Sequence, residues 1–431
     1  MSKPDAWRLI SNLMDHREER LAEYDIYIDP YKQTVINKVV EELKVGTNEN
    51  IVKVLGYLDI NSIAVRGLDG VYRGRGIYPI ASLMNHSCIC NTRNIINHTK
   101  LDTRATVSIK RGECITTHYV SPLLAVYNRR EKLKERWFFE CSCPRCNSST
   151  DLQAFTSGVK CTKCTNYQVP VYPLQFKSKY RCLGCQEEIS CDNVNKLVAS
   201  LEPLVQALNV FQMPGTDTEE SLIRTLEEKL HPTHQLVLDI KINLARKLGR
   251  TTGLLRCAER SVVKNKINLC IETLGVMKIV YPGLSKYRGL LLYELADSLA
   301  LIHTWILDKQ ISSIHGETDP SQILDPVSNS IPGGTDPSQI LDPVSNLIPR
   351  DTDPSQILDI PWIFGSVVKL LNLDISPTTS PGADWLKMYK YLSLVVIEES
   401  LCCLRFERDV SYEGDIYRNL INMKNSLERE N

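Results

Sequence analysis

An α+β architecture is predicted: a small β core preceded by helices, held by two structural zinc sites and followed by an all-helical C-terminal domain. Three observations carry that expectation. From Ile60 to Tyr119 the chain runs in short segments broken by glycine, as small strands and turns do. Between Cys141 and Cys185, seven cysteines fall into one C-x-C-x-x-C run and two C-x-x-C pairs. On either side of these regions, apolar residues recur at helical spacing.

At 431 residues the chain is long enough for two or three domains, each with its own core. Charge is balanced, with 51 basic and 51 acidic residues, so no overall field draws the protein to nucleic acid or to an anionic membrane. The N-terminal residues are followed by charged helical sequence and not by the apolar core of a signal peptide. No apolar run is expected to reach the ~20 residues that span a bilayer. The expectation is an intracellular protein, cytoplasmic or nuclear. Close cysteine pairs without a secretion signal point to zinc and away from disulfides.

Residues 5 to 58 read as three helices. Trp7, Leu9, Ile10, Leu13 and Met14 fall near helical spacing ahead of the charged run Asp15–Arg20. The pattern recurs in Val35, Val39, Val40 and Leu43, and again in Ile51, Val54, Leu55 and Leu58. His16 reads as an exposed helix residue, because no second metal-type residue stands three or four positions on. Thr106–Ile109 and Cys114–Tyr119, flanking Lys110-Arg111-Gly112-Glu113, read as a hairpin. Leu123 to Trp137 is helical and basic, and its charges, including Arg129 and Arg130, read as a solvated face without the aromatic platform of a nucleic-acid binder.

Beyond the cysteines, Leu197, Leu201, Leu204, Val205 and Leu208 mark an amphipathic helix, and similar stripes recur to about residue 312. Tyr281-Pro282-Gly283 is a break between helices. Cys257, Cys270, Cys402 and Cys403 lie in apolar helical sequence and read as small buried hydrophobes. A 12-residue unit from Thr318 to Asn329 recurs from Thr335 to Asn346, with a partial copy from Thr352 to Asp359. With two prolines in each full copy and little to bury, it is expected to be a disordered or extended surface insertion. Helical sequence resumes at Trp385.

Cys161-x-x-Cys164 followed by Cys182-x-x-Cys185 has the spacing of a zinc ribbon. Each pair sits on a tight turn, and four thiolates close one tetrahedron with no open position for water or substrate. Its role is therefore structural. Cys141-Ser142-Cys143-Pro144-Arg145-Cys146 supplies three ligands and needs a fourth. The nearby thiols are Cys88, Cys90 and Cys114, and spacing alone does not choose among them.

Three motifs, in order, carry a resemblance. They are Asn85-His86-Ser87-Cys88, then Gly112-Glu113 with Tyr119 six residues after the Glu, then Phe139-Glu140-Cys141-x-Cys143-x-x-Cys146. Together they resemble the C-terminal half of a SET domain, the protein-lysine methyltransferase fold. The match is closest to the SET and MYND (SMYD) family, especially its arthropod-specific branch, in which a second cysteine-pair ribbon follows the post-SET motif.

The resemblance implies a partial SET-domain β core with a helical insert. Residues 1–59 correspond to the insert, 60–140 to the C-terminal half of SET, and 141–192 to the post-SET zinc motif and ribbon. Residues 193–312 form a helical domain, 313–360 the low-complexity repeat insertion and 361–431 a helical C-terminal region. It also implies that Cys88 completes the zinc site of Cys141, Cys143 and Cys146. Asn85 and His86 are implied as contacts to S-adenosylmethionine, largely through backbone, with the Tyr119 hydroxyl near the methyl group and amine and Phe139 walling the lysine channel.

Two departures from the family pattern stand out. Where the family has a second tyrosine before Phe-Glu-Cys, this chain has Trp137, whose indole offers no phenolic oxygen. The family also opens with a Gly-x-Gly cofactor loop and a MYND module ahead of the insert, and both are expected to be lacking here. Gly74-Arg75-Gly76 reads as the turn entering the Tyr78 segment. Two functions follow as expectations. One is S-adenosylmethionine-dependent methyl transfer to a lysine of a protein or peptide, a histone among them. The other is an inactive zinc-stabilised scaffold whose helical domain presents a groove to a chaperone or peptide tail.

Overall fold

The computed structural model describes residues 3–23, 46–66, 71–97, 99–210, 216–249, 259–315, 385–405 and 412–429, with isolated residues around 34–44 and 367–371. The sequence repeat between 318 and 359, Val35, Leu43 and Cys257 lie outside the described residues. The chain forms two compact units, one of residues 1–240, 276–288 and 403–417, the other of residues 241–275, 289–402 and 418–431.

In the first unit, α1 (Lys3–Ile10) and α2 (Arg17–Glu23) are separated by a break at residues 11–16. His16 is not the exposed helix residue expected from the sequence. It turns the chain at φ 48°, packs its ring 5.3 Å from that of Phe138 and sets Nδ1 3.2 Å from Glu19. Helix α3 (Asn48–Asn61) is capped by Thr47, whose hydroxyl accepts from Asn50 N–H, and buries Val52, Tyr57 and Ile60. Its end reaches the site: the Ile60 carbonyl accepts the Trp137 indole N–H at 2.9 Å.

Strands β1 (Ser62–Arg66) and β2 (Tyr72–Ile77) pair antiparallel, Ser62 opposite Ile77. Gly74-Arg75-Gly76 therefore lies within a strand and is not the turn read from sequence. A 3₁₀ turn at Ala81–Leu83 leads into the two-residue strand β3 (Asn85–His86). Next, β4 (Thr92–Asn97) and β5 (Lys100–Ala105) form a tight antiparallel pair, Thr92 opposite Ala105. The expected hairpin about Lys110–Glu113 does not form. Instead, β6 (Thr116–Thr117) pairs parallel with β3, Asn85 opposite Thr116 and His86 opposite Thr117.

The buried side chain of Asn91 accounts for that pairing. It accepts from Thr116 N–H at 2.8 Å and donates to Cys114 O at 2.9 Å, occupying backbone groups that a hairpin partner would need. Lys110–Glu113 is left as a closed turn, with Glu113 N–H on Lys110 O and Gly112 at φ 86°.

Helix α4 (Val126–Trp137) starts without a local cap. Gln235 and Ser157 accept from Ala125 N–H and Val126 N–H instead, so residues distant in sequence satisfy its first donors. Its basic residues are not all solvated, as the sequence reading expected. Arg129 and Arg130 are buried, while Lys134 and Arg136 in the last turn complement the helix dipole. Phe138 closes the helix in the left-handed region at φ 56°.

The strands β7 (Val159–Lys160), β8 (Tyr167–Pro170), β9 (Tyr180–Cys182) and β10 (Glu188–Ile189) make an antiparallel sheet in the order β10-β9-β8-β7. Helices follow along the chain: α5 (Cys191–Val210), α6 (Thr216–Glu227), α7 (Gln235–Lys247), α8 (Arg260–Val280), α9 (Lys286–His315), α10 (Trp385–Leu404) and α11 (Tyr412–Arg429). The Tyr281-Pro282-Gly283 break is present, and Leu284 N–H bonds to Thr106 O there. Gly283 has φ 72°, and a Cβ on it would meet Thr106 O at 1.8 Å, so no other residue fits.

In the second unit, whose buried residues include Leu295, Ile302, Leu392 and Val396, buried Lys266 reaches Glu294 at 2.6 Å and Leu248 O at 3.1 Å, which satisfies the cation. Cys270 and Cys403 are buried as expected, whereas Cys402 is exposed. Residues Lys286–Asp308 of α9 form a 23-residue stretch apolar enough to cross a bilayer, longer than the sequence reading allowed. Because 67% of its apolar window is buried within the protein, it has the character of a core helix.

Candidate functional site

Four thiols converge where the chain after β3 meets the chain after α4. The Sγ atoms of Cys88, Cys141, Cys143 and Cys146 all lie within 4.8 Å of one another, a set able to hold one metal ion. Cys88 stands 3.4 Å from Cys146 and 4.0 Å from Cys141. Of the other two thiols that spacing left open, Cys90 bonds to Thr92 O and faces His118 Nδ1, and Cys114 is exposed. The donor set suits a divalent zinc-type cation. Contact with Cys141 and its neighbours pushes the Cys88 thiol far up, while contact with Cys143 and its neighbours holds Cys141 far down, so the four share protons unevenly. A divalent ion removes that competition by letting all four ionise.

A buried charged shell backs this cluster. Asp151 bridges two guanidiniums, with Arg129 at 2.7 and 3.2 Å and Arg145 at 2.6 and 3.0 Å, and also accepts from Thr156. Arg129 lies 3.6 Å from Cys146 Sγ, and Arg145 donates to the Cys88 carbonyl at 3.4 Å. Burial works against the Asp151 carboxylate, but the two arginines outweigh it and hold the group below its ordinary range. Two cations against one anion leave one positive charge beside the thiolates, which complements the net negative charge of a tetrathiolate bound to a divalent ion.

The same cluster touches an aromatic group made of the residues the sequence singled out. His86 Nε2 sits 3.2 Å from Cys88 Sγ, and its Nδ1 accepts Tyr119 N–H at 3.0 Å. The Tyr119 hydroxyl donates to Met84 O at 2.7 Å, and burial pushes its phenol above the usual range. Trp137 lies 5.1 Å from the Tyr119 ring, and Phe139 packs edge-on to that ring at 6.3 Å and 6.0 Å from His86. Trp137 is fully engaged: its N–H is held by Ile60 O, and the Arg136 guanidinium covers its ring at 4.5 Å. Asn85, next to His86 in β3, is exposed.

Cys161, Cys164, Cys182 and Cys185 form a second four-thiol cluster with the same 4.8 Å spread. Two C-x-x-C turns build it, each aiming a backbone N–H at a sulfur: Lys163 N–H at Cys161 and Gly184 N–H at Cys182, both 3.4 Å. Gly184 lets the Asn166 side chain pack closely, since a Cβ there would come within 2.8 Å of its amide nitrogen and displace it. Cys161 and Cys182 are buried, and Cys185 is exposed.

Asn91, Arg129, Arg145 and Asp151 escaped the sequence reading. Arg145 inside the Cys-Pro-Arg-Cys run was the available signal, since a cation between two thiolate ligands complements their charge.

A small β core beside four thiols that include the cysteine of Asn-His-Ser-Cys is consistent with the SET-type fold that the motifs resemble. No protein-family profile matches the chain. Histone-lysine N-methyltransferase ASHR1 of Arabidopsis thaliana is 23% identical over 298 residues, 67% of this chain and 60% of that protein. Protein-lysine N-methyltransferase SMYD4 of Homo sapiens is 31% identical over 262 residues, 56% of this chain and 32% of that protein. The SET domain-containing protein SmydA-8, isoform A, of Drosophila melanogaster is 27% identical over 143 residues, 32% of this chain and 31% of that protein. These relatives include protein-lysine methyltransferases named for the SMYD family, and the chain is similar to that family over part of its length. It spans from about a third to three fifths of the length of these curated relatives.

Proposed function

We propose that this chain carries the cofactor-facing and lysine-facing residues of an S-adenosylmethionine-dependent protein-lysine N-methyltransferase. The observation that carries the reading is the hydrogen bond from Tyr119 N–H to His86, which ties the Asn-His motif to the tyrosine beside Phe139. Two zinc ions, held by Cys88, Cys141, Cys143 and Cys146 and by Cys161, Cys164, Cys182 and Cys185, would cross-link the segments. The second ribbon supports placement in the arthropod-specific branch.

S-adenosylmethionine supplies an electrophilic methyl group when bound. Asn85 and the His86 backbone would hold its polar groups. Phe139 and the neighbouring rings exclude water from the lysine side chain and so favour its neutral amine over the ammonium. With the cofactor bound, the amine lone pair would form the new N–C bond as the C–S bond broke onto sulfur, and the surplus proton would leave to solvent. Because burial keeps the Tyr119 phenol protonated at neutral pH, it orients the amine by hydrogen bonding and does not act as a base. The substrate is a lysine in a protein or peptide, a histone tail among the candidates. The helical region offers a surface for a chaperone or peptide tail, and the compartment is the cytoplasm or nucleus.

The test is calorimetry with S-adenosylmethionine, followed by mass spectrometry of methyl transfer to histone and other lysine-containing substrates. The expected result is cofactor binding, with transfer reduced about a hundredfold by Tyr119→Phe. No heat with the cofactor overturns the reading. A second reading, a zinc-stabilised scaffold without transfer, is favoured by Trp137, whose N–H and ring face are both already occupied. It predicts partner capture that survives Tyr119→Phe.

A further inference from the structure

The geometry points to the His86 side chain as a positioning residue that couples the first metal centre to Tyr119. This deepens the methyltransferase reading and rests on it. His86 touches both components at once: Nε2 is 3.2 Å from Cys88 Sγ, and Nδ1 is 3.0 Å from Tyr119 N. A backbone N–H can only donate, so Nδ1 is an acceptor and carries no proton. That assigns the imidazole proton to Nε2.

Two consequences follow. A protonated Nε2 cannot ligate metal, so His86 does not compete with the four cysteines. Its N–H instead points at the sulfur of Cys88, where a hydrogen bond stabilises a metal-bound thiolate. The ring is then clamped between a metal ligand and the backbone of the tyrosine, with Tyr119 and Phe139 packed 5.4 and 6.0 Å from it. Parallel pairing of His86 with Thr117 brings the two segments together, and the imidazole sets where Tyr119 lies. The Tyr119 hydroxyl, on Met84 O, is fixed from the same short segment. The metal centre thereby acts on the active-site tyrosine through one side chain.

Two variants separate the two bonds. His86→Asn keeps an acceptor near the Nδ1 position and removes the donor to Cys88, whereas His86→Gln keeps a donor towards Cys88 and removes the acceptor. Zinc release to a competing chelator is expected to quicken roughly tenfold in His86→Asn and to stay near wild type in His86→Gln. Hydrogen exchange of the Tyr119 amide is expected to quicken roughly fivefold in His86→Gln and to stay near wild type in His86→Asn. Exchange of the ribbon amides between Cys161 and Cys185 reports any general loss of fold. Stripping zinc from wild-type protein should also release the Tyr119 amide.

The assignment is overturned if both variants move both readouts alike, or if neither readout moves. It is also overturned if wild-type protein holds no zinc at the Cys88, Cys141, Cys143 and Cys146 site, whereas absence of methyl transfer with both readouts behaving as expected counts against the methyltransferase reading alone.

Discussion

The two four-thiol clusters present the same ligands in the same compact arrangement, yet their surroundings differ. In the ribbon, all four cysteines come from two C-x-x-C turns, and the sulfurs shown with hydrogen bonds from the protein receive them from backbone N–H groups. The other cluster joins Cys88 to three cysteines more than fifty residues away and is enclosed by Arg129, Arg145, Asp151 and His86. A local site needs little from the rest of the chain. A site that joins distant segments must supply charge balance and ring orientation, and so it can also position a neighbouring side chain.

The largest effect that would sharpen this contrast is expected from Asp151→Asn. It would leave two buried guanidiniums without their carboxylate, at a cost of about 3–5 kcal/mol in denaturant unfolding. The ribbon should keep its metal. Because the folded carboxyl lies below its unfolded value of about 3.9, its contribution is present above that pH and is lost as pH falls through the folded value. Unfolding that is insensitive to Asp151→Asn would break the contrast.

Metal release is the next test. Cys185 is exposed, whereas Cys88, Cys141 and Cys146 are buried, so zinc should leave the ribbon roughly tenfold faster under a mild chelator. Cys185→Ser should abolish the fast phase and leave the slow one. A single phase for both sites would show that burial does not set the difference.

The smallest effect is expected from Arg181→Ala on the ribbon surface. Arg181 grips Glu188 through two nitrogens at 2.8 and 3.0 Å, the same kind of pair as Arg129 with Asp151, but in solvent. Water screens the exposed pair, and no measurable change in thermal midpoint is expected. A clear loss would mean that burial is not what separates the two pairs.

How much of this was legible in the sequence follows from the distance over which each feature is decided. The ribbon could be read from spacing alone, because its ligands sit on two local turns. The Tyr281-Pro282-Gly283 break could also be read, since proline and glycine carry their constraint with them. The hairpin expected at Lys110–Glu113 failed because Asn91, far back in sequence, takes the backbone groups it needed. Arg129 and Arg130 looked solvated because a charge run carries no sign of the buried Asp151 or of the Pro173 carbonyl that receives Arg130.

By itself, the sequence determined the thiol ribbon, the helical C-terminal region and the ordered motifs shared with SMYD proteins, since these depend on residue type and local spacing. Spacing left Cys88, Cys90 and Cys114 open, the resemblance pointed to Cys88, and the tertiary structure gathers Cys88 with the other three thiols; only that structure buried Arg129 and Arg145 on Asp151 and set His86 between Cys88 and Tyr119. Those outcomes depend on which distant segments share one buried space, where each polar group must find a partner.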